Sequence, residues 1–369
     1  MRGVSENFDA DVIVAGLGPA GARAAAAAAK EGKRVIALER KRRAGMPVQC
    51  AEFIPTMVSQ ELGELDAVTR QRINAMETFI EGETCERTEN FPGRMISREA
   101  FDRRLVEDAI HAGSDCRFGV KIAAIAEDGA VHLSDGQTLK APVLIGGDGP
   151  RSCVGAAIGA VNTDMVETRQ LTVPLLRAHD ATDIFLSEQL PGGYAWLFPR
   201  GDVANLGAGV IPCARTVLKD YLNELHEDLV AQGRVGAEVL SYTGGAIPVG
   251  GRLFSYAMLG DTAVLLCGDA CGLANPVTGG GIASAVISGG LAGEAAVGWL
   301  DGDEDSLDDF ESELAAIFDP ALNRAVRRRC ELLGALGSGE ATAADFRRGW
   351  IAYEEYWNDE TTLVRGNAA

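Results

Sequence analysis

From Asp11 onward the chain alternates between unbroken apolar runs and glycine-rich breaks. Val12-Ile-Val-Ala15 is apolar at every position, which predicts a strand buried on both faces, as in a parallel sheet. Ala20 to Lys30 is alanine-rich and predicts a helix, and Val35-Ile-Ala-Leu38 predicts a second buried strand that ends at Glu39. Residues 56–80 read as helical and then strand-like. Between Ser97 and Ala112, Phe101, Leu105, Val106, Ala109 and Ile110 recur at helical spacing. Ser97, Glu99 and Asp102 supply capping chemistry at its start and Gly113 a stop. Lys121–Ala126 and Ala130–Leu133 read as two strands joined through Asp128-Gly129, a hairpin signal. Val143-Leu-Ile is a third buried run, and it enters Gly146-Gly147-Asp148-Gly149.

The pattern changes after residue 165. Leu171–Leu176, Ala181–Leu186, Tyr194–Pro199 and Val203–Val210 are shorter runs that predict a second, mixed or antiparallel sheet, with a helix over Ala214–Gln232. Ala263-Val-Leu-Leu returns to the buried-strand pattern and ends in Cys267-Gly268-Asp269. A small-residue helix then reaches about Val297, and the chain from about Asp305 reads as helical. Its acidic start, Asp301 to Glu313, reads as a solvated loop and helix start. The fold class is therefore α/β: a Rossmann-like dinucleotide-binding domain with an inserted mixed β-sheet substrate domain and a helical C-terminal tail. The expected division is 1–70, 95–164 and 255–300 for the first, 71–94 and 165–254 for the second, and 301–369 for the tail.

The strand ends carry the candidate chemistry. Gly16-Leu-Gly18-Pro-Ala-Gly21 sits between a predicted strand and a predicted helix. Gly16 permits a tight turn, Gly18 lets backbone approach a pyrophosphate, and Gly21 lets helix and strand pack closely. The helix N-terminus presents unpaired N–H groups to the phosphates. Glu39 lies where a carboxylate can accept from ribose hydroxyls. Gly147-Asp148-Gly149 and Gly268-Asp269-Ala270 repeat the strand–glycine form with an acid. A plain NAD enzyme has no need of them; FAD, with ribitol and isoalloxazine to hold, does. The loop Asn275-Pro276-Val-Thr-Gly279-Gly280-Gly281-Ile282 opens the following helix, whose dipole would favour the negative pyrimidine edge of reduced flavin.

Composition narrows the partners. The chain has 369 residues and a formal net charge of −19, which disfavours nucleic acid and gives no general attraction to anionic lipid. The polar, acidic first residues show no signal peptide, and the stretch Ala270–Gly293 reads as too small and too broken to span a membrane. The eight cysteines and four histidines fit neither a disulfide framework nor a metal site, and free thiols fit a reducing cytosol, so the expected location is cytoplasmic. Lys41-Arg42-Arg43 reads as a solvated loop or as a cationic rim near the adenosine end.

Taken together, the motifs resemble the FAD-dependent oxidoreductases with the p-hydroxybenzoate-hydroxylase type of fold. Two segments narrow the likeness. Tyr194-Ala-Trp196-Leu-Phe198-Pro199 is similar to the YxWxFP signature of the geranylgeranyl reductase family, and Cys50-Ala51-Glu52 falls where that family carries its Cys-Gly/Ala-Glu segment. The resemblance covers residues 12 to about 297. It implies that Gly16, Gly18, Pro19, Ala20 and Gly21 hold FAD, with Glu39 at the adenosine ribose and Arg40 also touching the cofactor. It adds Cys50, Ala51, Arg98, Asp148, Gly268 and Asp269 to the cofactor site, with Pro276 and Gly279 to Ile282 at the flavin. Tyr194, Trp196 and Phe198 would line a cavity for a hydrophobic small-molecule or peptidyl substrate, and Cys50 and Glu52 are the candidate catalytic groups. Family members reduce isolated prenyl C=C bonds by hydride transfer from flavin. NADPH, NADH and ferredoxin all remain as electron donors, and a lipid substrate allows peripheral contact with a membrane. Cys271 and the bulky Phe53-Ile54-Pro55 depart from the family pattern and would reshape the cavity.

A single-component flavin monooxygenase, acting on an aromatic or a peptide side chain, is the alternative on the same cofactor motifs. Flavin halogenases carry a related WxWxIP motif, but the absence of lysine from residue 44 to 120 disfavours halogenation. A non-catalytic redox sensor is a third reading, against which the substrate-like segment and Cys50 argue. Oligomeric state is not legible from one chain.

Overall fold

The computed structural model describes residues 8–56 and 65–358. A six-stranded sheet runs in the order Tyr256–Leu259, Thr262–Leu266, Val143–Gly146, Val12–Ala15, Val35–Glu39, Asp115–Phe118. All neighbours are parallel except the edge pair Tyr256–Leu259 with Thr262–Leu266. The three central strands are buried along their whole length, as unbroken apolar runs require. Their carboxyl ends bring the glycine turns at residues 16–18, 147–149 and 268–271 to one edge of the sheet.

Helix Pro19–Lys30 packs on helix Ile282–Asp301 with the two backbones nearly touching. A Cβ at Gly289 would stand 2.2 Å from the Ala20 carbonyl oxygen, and one at Gly293 2.6 Å from that of Ala24. Small residues at the crossing are thus a steric requirement. Helix Ile282–Asp301 has the length and apolarity of a membrane span, the only such helix among the described residues. Ala270–Gly293, read from sequence as too broken to span, thus contributes its second half to a continuous helix. Its apolarity serves the close crossing, with Ala285, Val286, Ala292 and Ala296 buried.

The second sheet has seven strands in the order Ser241–Pro248, Met165–Pro174, Val203–Val210, Ala195–Arg200, Ala181–Leu186, Ala75–Ile80, Glu86–Thr88. It is antiparallel except where Ala181–Leu186 runs parallel to Ala75–Ile80. One face packs Leu171, Leu197 and Leu206 against Leu218, Leu222 and Leu229 of helix Val217–Ala231. The other face is turned toward the glycine turns and floors a cavity. On that face Trp196 pairs with Gly207, and a Cβ at Gly207 would lie 2.2 Å from the indole, so the glycine makes room for the ring.

Several predicted elements shift. The helix expected from Ala214 begins at Val217, after a 3-10 turn at Pro212–Ala214. Within 56–80, Thr69–Ile73 and Ala75–Ile80 are strands; residues 57–64 of that reading lie outside the described residues. The C-terminal part contains a long helix, Ser306–Ser338, followed by Ala343–Gly349 and Glu354–Trp357. Residues 359–369 lie outside the described residues. The acidic start of this region is not merely solvated: Glu311 accepts from Ser255 N at 2.7 Å and pairs with Arg252, which also meets Asp319 at 2.7 Å. These contacts tie the long helix to the first sheet. All eight cysteines are free thiols.

Candidate active site

A cavity of about 680 Å³ lies between the carboxyl edge of the first sheet and the inner face of the second. At its nucleotide end, Gly16 adopts φ +89°, and a Cβ there would strike the Gly147 carbonyl at 2.5 Å. A Cβ at Gly21 would stand 1.9 Å from the Gly16 carbonyl. At Gly18, by contrast, a Cβ would meet nothing within 4 Å. Gly16 and Gly21 are therefore glycines for packing, whereas Gly18 faces open space at the cavity wall. Helix Pro19–Lys30 has no side chain capping its start, so its first N–H groups are available to an anion. Glu39 is buried; its two oxygens accept from Leu17 N at 2.9 Å and Lys41 N at 2.8 Å, which fixes the carboxylate beside the glycine turn.

The far glycine loop is shaped by Asn275, whose Oδ1 accepts from Val277 N and Thr278 N, both at 3.0 Å. Gly279 adopts φ +68°. Asp269 lies against the N-terminus of helix Ile282–Asp301; a Cβ at Gly281 would stand 2.9 Å from its Oδ1. Burial raises the Asp269 carboxyl above its ordinary range, with Arg98 pulling the other way. An open backbone cradle at Gly18, an uncapped helix start and a glycine loop with an acid fit the shape and charge of a flavin dinucleotide.

The segment Val48–Glu52 closes the cavity from the side, and the second sheet holds it by its carbonyls. Thr243 Oγ1 donates to Val48 O at 2.7 Å, Gln170 Nε2 to Cys50 O at 3.2 Å and Asn205 Nδ2 to Ala51 O at 3.2 Å. Gln170 is itself fixed by Trp196 Nε1, which donates to its Oε1 at 3.1 Å. Trp196 thus reaches Cys50 through one amide. Glu52 adopts φ +68° and is buried, and its oxygens take Arg98 N at 2.9 Å, Asn205 Nδ2 at 3.2 Å and an ion pair with Arg200 at 3.2 Å. A strained residue pinned by two donors and an ion pair is a brace.

The Cys50 sulfur accepts from Glu52 N at 3.2 Å. Arg98, half-buried and paired with Asp102 at 2.9 and 3.0 Å, stands near enough to Cys50 for its charge to act on it. Burial alone would lower the Arg98 pKa, but Asp102 and Cys50 outweigh it and raise it, so the guanidinium stays charged. Burial, with Cys50 nearby, raises the Tyr194 phenol, whose hydroxyl donates to Thr278 O at 2.7 Å.

The cavity gathers most of the residues singled out from sequence. Gly18, Pro19, Ala20, Cys50, Ala51, Glu52, Arg98, Asp269, Pro276 and Gly279 to Ile282 line it, as do Tyr194, Trp196 and Phe198. Others stand elsewhere. Asp148 turns its carboxylate to Cys153 N at 2.7 Å and to Ser152, capping helix Cys153–Ile158 instead of facing the cavity. Gly268 packs on Ala20 and Ala285, and Arg40 is exposed away from the cavity lining. Gln170, Asn205, Arg200, Met76, Thr182 and Trp350 complete the site and were not anticipated.

Fold and cradle define an FAD-dependent oxidoreductase, and comparison with known proteins agrees. Residues 11–87 match the FAD binding domain model and 164–247 the geranylgeranyl reductase catalytic domain model. A digeranylgeranylglycerophospholipid reductase of Methanocella arvoryzae is 33% identical over 295 residues, covering 74% of this chain and 73% of that protein. The enzyme of that name from Methanocaldococcus jannaschii is 31% identical over 298 residues, covering 76% and 75%. The chain belongs to the geranylgeranyl reductase family. Among solved structures, a geranylgeranyl bacteriochlorophyll reductase-like protein of Thermoplasma acidophilum superposes with TM-score 0.79 at 23% identity, covering 94% of this chain and 97% of that one. PqsL, a probable FAD-dependent monooxygenase of Pseudomonas aeruginosa, shares the fold with TM-score 0.69 at 20% identity, covering 91% and 99%.

Proposed function

We propose that this enzyme reduces isolated C=C bonds of a prenyl or similar hydrophobic chain. The observation that carries this reading is the apolar cavity that continues from the flavin cradle across the inner face of the second sheet. Its floor extends from Ile247 on one side to Met76 on the other. Those residues lie on strands five spacings apart, and at ~4.8 Å per spacing the floor is about 24 Å wide. That suits a long chain better than a single aromatic ring.

In this reading Gly18, Pro19 and the helix start hold the pyrophosphate, Glu39 the adenosine ribose and Asp269 the ribitol side. Arg98 and Gly279 to Ile282 hold the flavin. Reduced FAD supplies a hydride to one alkene carbon when bound. Cys50 Sγ gives a proton to the other carbon, and the sulfur left behind keeps the hydrogen bond from Glu52 N–H, with the Arg98 charge nearby. Glu52 positions this pair by holding Arg98 N. Tyr194, Trp196 and Phe198 orient the chain and keep water from the reacting carbons.

The test is anaerobic incubation of the reduced, FAD-loaded enzyme with a geranylgeranyl-bearing lipid, followed by mass spectrometry. The expected product gains two hydrogens for each bond reduced. A product carrying an added oxygen when air is admitted, with no hydrogenated product, would replace this reading by the monooxygenase one.

A further inference from the structure

The two ends of the cavity differ. Its lining includes Ile317 and Ala321 of the long helix, both exposed, with Ile317 at 44%. At the Ala75–Ile80 side it ends on Met76, Phe91 and Trp350. Trp350 is only 3% exposed, its Nε1 lies 3.3 Å from Met76 Sδ, and its ring meets Tyr194 edge-on at 4.8 Å. One end is therefore a mouth and the other a wall.

The wall is braced from behind. Helix Ala343–Gly349, which delivers Trp350, packs so closely on the long helix that a Cβ at Gly349 would stand 3.0 Å from Leu332. Arg347 of the same helix pairs with Glu86 on the strand beside Ala75–Ile80. Trp350 is thus held from two directions and cannot yield cheaply to a longer ligand.

We propose that, in a cavity open past Ile317, Trp350 is the stop that sets the longest chain admitted, a specificity determinant outside both matched family segments. This rests on the prenyl reading for the kind of chain, but the stop is a property of the cavity and is measured by binding. Each apolar unit added short of the wall gains burial, and each unit beyond it must stay outside or strain the wall.

The experiment titrates the FAD-loaded full chain with saturated isoprenoid alcohols of increasing length, followed by perturbation of the flavin spectrum. Affinity is expected to rise with length and then level. In Trp350→Ala the levelling point moves out by at least one isoprene unit, with a gain of about fourfold for each methylene newly buried. Met76→Ala opens the same end while leaving Trp350 in place, and it moves the limit in the same direction if the first variant fails to fold. A levelling point unchanged in a folded, FAD-loaded variant overturns the stop. Failure of the prenyl reading is visible separately: unsaturated alcohols that bind with the same length limit but are not reduced would remove the reaction and keep the stop.

Discussion

Tyr194 and Thr278 join the two halves of the site through one hydrogen bond, the phenol donating to the Thr278 carbonyl at 2.7 Å. Tyr194 immediately precedes a strand of the second sheet, and Thr278 stands in the loop that opens helix Ile282–Asp301. The bond therefore sets the glycine loop against the substrate floor. In Tyr194→Phe the carbonyl loses this partner at a net cost of about 1 kcal/mol. A lower midpoint in FAD-release fluorescence during heating is expected, with a slower reductive step. A midpoint and rate equal to wild type would show that packing alone seats the loop.

Gly18 and Gly21 separate cofactor space from packing space. Gly18→Ala adds a methyl to open space in the protein, so the variant is expected to fold with near-native circular dichroism but to retain FAD at least tenfold less tightly. Gly21→Ala meets backbone at 1.9 Å and is expected to fail in folding itself. Equal FAD retention in Gly18→Ala and wild type would move the pyrophosphate away from this turn.

Cys50→Ser keeps the size of the side chain but replaces the thiol by a far weaker acid. Loss of a positioned general acid costs about 10²–10⁴-fold in rate. FAD loading is expected to be unchanged, with turnover reduced by that factor while hydride transfer to an already activated acceptor survives. Full turnover would make Cys50 a structural residue.

His179 lies on the opposite face of the second sheet, 2.5 Å from Asp183 and 4.0 Å from Glu77. Burial by itself would lower the imidazole pKa, but Asp183 and Glu77 outweigh it and raise it above 6.5. A raised folded pKa means that the protonated form is favoured by folding. The resulting stability is fully present below about pH 6.5 and is lost as pH rises through the higher folded value. His179→Gln is expected to melt below wild type at pH 6, with the gap narrowing by pH 9. A gap independent of pH would place the contribution in packing.

The flavin half of the fold was legible because its signals are local. Unbroken apolar runs mark strands buried on both faces, and three of them, at Val12–Ala15, Val143–Gly146 and Thr262–Leu266, lead into glycines whose spacing reports a turn. The inner sheet was less legible at its edges. Ser241–Pro248 contains two adjacent glycines and gives little strand signal, yet it pairs along its length with Met165–Pro174. Its strand state comes from that partner.

Residues that act at a distance left no trace in the chain. Gln170 and Asn205 look like single polar positions within apolar strands, but they meet the carbonyls of Cys50 and Ala51 across 120 and 154 residues of sequence. Asp148 shows the opposite failure. An acid at a strand end can face a ligand or cap the next helix, and Ser152, which accepts from Gly155 N at 2.7 Å, was the local sign that a cap was being built.

Whether prenyl reduction is the reaction is read from the flavin itself. Enzyme reduced without air is mixed in a stopped-flow instrument with a prenyl substrate, first without oxygen and then with it, and absorbance of oxidised flavin is recorded. Reoxidation is expected without oxygen, at a rate that saturates with substrate and falls sharply in Cys50→Ser. Reoxidation that requires oxygen, even with substrate bound, would contradict prenyl reduction.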